Sequence, residues 1–149
     1  MEIEFLELSY KIEKLNKSDK ASWGIMTPQH MVEHLILAVR SGNGNLEVEC
    51  FNPVEKLPIL KRFLMSSRDL PKGFQNPLLK EGLEDLIFTS LAEAKKNLKT
   101  EIELHFSFYQ KNPKNTIVNA TFGELNFAEW NQFHKKHFEH HLRQFNLIK

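Results

Sequence analysis

The chain has 149 residues, 41% hydrophobic and 26% charged, enough for one domain with a core of its own. Its single cysteine, Cys50, excludes an internal disulfide framework and fits a reducing compartment. Lys and Arg total 20 against 19 Asp and Glu, a net charge of +1, which makes no electrostatic case for nucleic acid. No apolar run approaches the roughly 20 residues of a membrane span. The acidic start MEIEFLELSYKIEK lacks the basic region of a signal peptide. These features predict a soluble, cytoplasmic protein with no membrane contact. Twelve Phe against two Tyr and two Trp predict a largely dry core, because Phe brings bulk without a polar handle.

In chain order, Phe5, Leu8, Ile12 and Leu15 trace a helical stripe that ends near Asn16. Thr27 before Pro28 is a hydroxyl cap followed by proline in the first turn, a strong helix start. That helix carries Met31, His34, Leu35, Ala38 and Val39 on one side and stops at Ser41-Gly42-Asn43-Gly44. NLEVECFN is ambiguous. Asn52-Pro53 opens a short or kinked helix over 53–65, since Pro58 falls inside PVEKLPILKRFLM. SSRDLPKGFQNPLL, with two Pro and one Gly, reads as an ordered loop.

From about Leu83 the positions Leu83, Leu86, Ile87, Leu91, Ala94 and Leu98 fit a 3.6-residue period. TEIELHFSF also alternates like a strand, but Ile102, Phe106 and Tyr109 keep the helical stripe, and a lone strand has no evident partner. The spacing therefore predicts helix through 100–109. In the last segment Asn126 can cap while Glu129 sits three residues into the helix, a capping box. Leu125 and Trp130 stand where a hydrophobic staple needs them, and the helix should run to about Leu147. Four main helices, with the extra short one at 53–65, predict an all-α bundle.

The last helix concentrates histidine: FHKKHFEHHLRQF holds four of the chain's seven. His134, His137 and His141 project within about 60° of one another at helical spacing. His137 and His141, four apart, can reach one cation from one helix face. A tight site needs a third ligand from another helix, and His34 and His30 are the candidates. Neutral imidazole suits Zn, Ni, Fe or Cu. Three nitrogens leave a position for a water or thiol, whose pKa the metal would lower. His105 reads as a surface or core-edge residue and His140 as solvated. Cys50 reads as a small buried residue, since no base stands beside it in the sequence. There is no G-x-S-x-G elbow, and Gly42-Asn43-Gly44 is a helix stop, not a phosphate loop.

TPQHMVEHLILAV after WGIM, and FGELNFAEWNQFHKKHFEHHLRQF near the end, resemble the DinB-like superfamily, in particular one of its uncharacterised bacterial branches. The resemblance implies a four-helix bundle holding a divalent metal through three histidines. One lies on the second helix in a context like His34-Leu35, and two form the HxxxH of the last helix, His137 and His141. Related sequences often carry His-Pro before the FG of the last loop, where this chain has Ala120-Thr121; residues 45–80 match nothing in the family. The resemblance implies a metal-dependent enzyme, a thiol-dependent transferase or a hydrolase, acting on a small molecule with a low-molecular-weight thiol. His30 or His134 would then be proton shuttles, and a homodimer fits such bundles. The competing expectation is a binding or interaction protein whose metal is structural or absent.

Overall fold

In the computed structural model, which describes residues 2–72, 74 and 83–149, the chain is mainly helical. Helix α1 spans Glu2–Tyr10 and passes into a 3-10 turn at Lys11–Lys14; α2 spans Pro28–Gly42. A 3-10 turn at Val54–Lys56 leads into α3, Leu57–Met65, and α4 spans Leu91–Lys111. Strands β1, Ile117–Asn119, and β2, Gly123–Leu125, precede α5, Phe127–Gln144. The two strands pair antiparallel, Val118 opposite Glu124. Helix α2 packs on α4, and α5 packs on α1, α2 and α3.

The start of α2 follows from its cap: the Thr27 side chain accepts from the His30 backbone N–H, and Pro28 sits in the first turn. It ends at Gly42, and Gly44 takes φ +85°, a left-handed turn that glycine adopts without strain. Helix α5 has both halves of the capping box: Glu129 N–H donates to Asn126 Oδ1 at 2.9 Å, and Asn126 N–H donates to Glu129 Oε1 at 2.9 Å. Such a cap contributes about 1 kcal/mol. Leu125 and Trp130, the two ends of the staple, are fully buried in one apolar cluster with Ala38, Phe122 and Phe133.

Three contacts set the spacing of the helices around the site. A Cβ on Gly42 would lie 2.7 Å from the Trp130 ring, so only glycine lets α5 approach α2 this closely. The Tyr109 hydroxyl of α4 donates to the Gly42 carbonyl at 2.8 Å. Lys136 of α5 donates to the carbonyls of Ser66 and Arg68, which fixes the end of α3.

The long helix begins at Leu91, not near Leu83. Ser90 caps it, and the Glu93 carboxylate turns back to the Thr89 N–H at 3.0 Å. Leu83, Leu86 and Ile87 precede it and are exposed. Their segment is tied to α2 instead: Glu33 accepts from the N–H groups of Ile87 and Phe88 at 2.8 and 3.2 Å. Residues 100–109 are helix throughout. Pro58 stands in the first turn of α3, where its missing N–H costs nothing; the short helix expected over 53–65 is a 3-10 turn followed by α3. Helix α5 stops at Gln144, short of Leu147, and Asn146 turns the chain with φ 58°. The β-hairpin at 117–125 was not expected from the pattern. Of the loop expected over residues 66–79, residues 73 and 75–79 lie outside the described residues.

Candidate metal centre

The imidazoles of His34, His137 and His141 converge from α2 and α5. Their relative exposures are 3%, 1% and 5%. His34 Nε2 lies 2.9 Å from His137 Nε2, and His141 Nε2 lies 3.2 Å from the same atom. One nitrogen from each ring lies within 4.8 Å of the other two. Tetrahedral Zn–N bonds of 2.0–2.1 Å would separate two ligand nitrogens by about 3.3 Å, close to both observed contacts.

The tautomers sharpen this. His141 Nδ1–H donates to Gln144 Oε1 at 2.8 Å, so neutral His141 presents a lone pair at Nε2. The 2.9 Å contact of His137 with His34 already needs one proton. A single proton cannot serve both contacts of His137 Nε2 well. A cation at the centre satisfies all three nitrogens at once, so the donor set fits a transition metal. The Nδ1 atoms of His34 and His137 have no hydrogen-bond partner among the described residues, so the outer support of the centre falls on His141 alone.

Burial holds the triad neutral. His34 is pushed down to about 4 by desolvation and then by His140. His137 and His141 lie well below the usual imidazole range, again mainly through desolvation and next through His34. Neutral rings are the form that binds metal.

Gln144 extends the site to the loop before α2. Its Nε2–H donates to the Trp23 carbonyl at 2.9 Å, and its backbone carbonyl accepts from Ser22 N–H at 2.7 Å. The orienting role of Gln144 escaped the sequence reading; a glutamine three residues after a candidate ligand on one helix face was the available signal.

The structure brings His34 to the pair and leaves His30 aside. His30 Nδ1 accepts from the Thr27 hydroxyl at 2.6 Å, and Nε2–H donates to the Glu84 carbonyl at 2.9 Å. One nitrogen thus meets the cap of α2 and the other braces the segment before α4. His134 is fully buried, and neither ring nitrogen has a hydrogen-bond partner among the described residues; it faces an aromatic core. His105 is fully buried rather than at a surface or core edge, with Nε2 2.8 Å from Asn131 Oδ1. The length of α4 carries it under α1. His140 is only 8% exposed rather than solvated, because the Trp23 ring packs on it at 5.6 Å. Cys50 is half-buried, with Sγ 3.7 Å from the carbonyls of Asn52 and Thr121.

No helix among the described residues is long and apolar enough to cross a membrane. No family model, curated protein or solved structure matches the chain.

Proposed function

We propose that the protein binds a divalent transition metal, Zn, Ni or Fe, through His34, His137 and His141, and that it is a metal-dependent enzyme of the DinB-like type. The observation that carries the reading is the meeting of three Nε2 atoms across 103 residues of chain, at 2.9 and 3.2 Å. A metal held there would supply Lewis acidity, lowering the pKa of a bound water or low-molecular-weight thiol.

The protein's own part is positioning. Gln144 fixes the His141 tautomer and anchors the chain at Trp23. The Gly42–Trp130 contact holds α2 at the distance that lets His34 meet His137. The substrate in this reading is a small molecule, and transfer of its electrophilic group to a thiol, or its hydrolysis, is the reaction. A cytoplasmic location goes with the reading, and a homodimer is compatible with it.

A second reading is favoured by one observation. All three rings are at most 5% exposed, as in a structural cross-link between α2 and α5. Consumption of an electrophile by metal-loaded protein, tested with several thiols and with water alone, separates the two. Turnover that is lost in His137→Ala supports the enzyme. Stoichiometric metal, raised thermal stability and no turnover with any thiol or with water support the cross-link.

A further inference from the structure

A second pair of buried histidines lies outside the triad. His105 of α4 and His134 of α5 are both fully buried, with ring centroids 5.0 Å apart at 81°. His105 Nδ1 and both nitrogens of His134 have no hydrogen-bond partner among the described residues. A neutral imidazole always carries one N–H, so His134 buries a donor that bonds to nothing described here, at a cost of about 1–3 kcal/mol. Such groups in a core call for a role.

Aromatic rings surround the pair. Phe5 stacks on His134 at 5.0 Å and 26°, and Trp130 lies at 5.4 Å and 32°. Phe5 also meets the His105 ring edge-on at 5.9 Å. Phe5 is the one fully buried side chain among the described side chains of α1, residues 4–10. Phe5 also packs on Phe138 at 5.0 Å and Phe106 at 5.9 Å, and Leu6 and Leu8 rest on the same core, so the two imidazoles form part of the seat on which the first helix is docked.

We propose that the His105–His134 pair is a proton-operated latch for α1: protonation of the pair releases this helix before the rest of the fold opens. Among the described residues no carboxylate pairs with either ring; Asn131 is the polar partner that reaches the pair. On α1, Glu4 and Glu7 are exposed. On α4, Glu101 is taken by Arg40 at 3.3 Å, and Tyr109 gives its proton to the Gly42 carbonyl. On α5, Asn131 already serves His105, and His137, one turn on, directs Nε2 at the triad. Withdrawal of α1, whose Phe5 covers both rings, would open the new charge to water.

Burial supports the direction. Desolvation pushes His105 down to about 4 and His134 well below the usual range. Both rings are therefore neutral when α1 is docked and gain protons when it is released. The docked state keeps its full stability above about pH 6.5 and loses it as the pH falls from there toward 4. For His105 alone the release equilibrium rises about a hundredfold between pH 7 and pH 4.

The test is amide hydrogen exchange of the full chain across this range, corrected for intrinsic rates. The expected result is at least that hundredfold gain in opening for amides of α1, at a pH where α2 and α5 remain protected. Protonation of the triad would instead loosen α2 and α5. His105→Phe and His134→Phe, made separately so that one variant serves if the other does not fold, should each reduce the α1 gain at least tenfold. Opening of α1 that is independent of pH, that coincides with α2 and α5, or that is unchanged in both variants overturns the proposal.

Discussion

The two histidine clusters of α5 share nearly the same ring spacing and differ in what the rings face. Centroids stand 4.8–4.9 Å apart within the triad and 5.0 Å apart in the His105–His134 pair. In the triad the Nε2 atoms converge, and one ring is steered by Gln144. In the pair the nitrogens are dispersed among Phe5, Trp130 and Phe133, with one bond to Asn131. Proximity of imidazoles is thus not what defines a metal centre. Convergence of ring nitrogens is, and a polar orienting partner marks it.

The largest expected effect is on the triad alone. His137→Ala removes the nitrogen that both other rings approach and should weaken zinc binding by more than ~100-fold, beyond the loss of any outer hydrogen-bonding partner; isothermal titration reads this. His134→Phe, one turn away, should leave zinc affinity within about threefold, within the usual scatter of single-interaction effects. A loss in both variants to the same degree would erase the distinction between the clusters.

Next in size is the stabilisation by metal. Zinc at a hundred times its Kd should raise folding stability by about 2.7 kcal/mol in the native chain, read as a rise in Tm, and by nothing measurable in His137→Ala. An equal rise in both would mean that zinc binds elsewhere.

Gln144→Leu comes third. It frees the His141 tautomer and cuts the link to Trp23, and it should lower zinc affinity about 10–100-fold while stoichiometry holds. Unchanged affinity would show that the helix backbone alone orients His141.

The smallest is Asn126→Ala. It breaks the capping box and should cost about 1 kcal/mol, visible in chemical denaturation, with zinc affinity unaltered. An affinity change would mean that the start of α5, eleven residues before His137, sets the geometry of the centre.

The half of this comparison that was legible in the sequence lies where local chemistry is strong. Thr27-Pro28 and Asn126-Glu129 announced the starts of α2 and α5, and the phase of each helix then carried His34, His137 and His141 to one side. What stayed hidden depends on contacts between distant segments. His105 looked peripheral because α4 taken alone has no face that reports α1 lying across it through Phe5. Leu83, Leu86 and Ile87 kept a helical period, yet the chain there is held in another form by the Glu33 carboxylate. The hairpin has strands of three residues, too short to show alternation, and its turn is built by the Asn119 side chain accepting from the N–H groups of Thr121 and Phe122. The two core clusters are apolar, in line with a largely dry core; His105 and His134 are exceptions, since no composition argument says which histidines a fold will bury.

The most direct test is the metal content of untagged protein, native and His34→Ala, by elemental analysis after gel filtration in metal-free buffer. Close to one transition-metal ion per native chain is expected and almost none in the variant, although His34 stands 103 residues from His137. Native protein that takes up no metal when it is offered, or a His34→Ala variant that keeps the full amount, would contradict it.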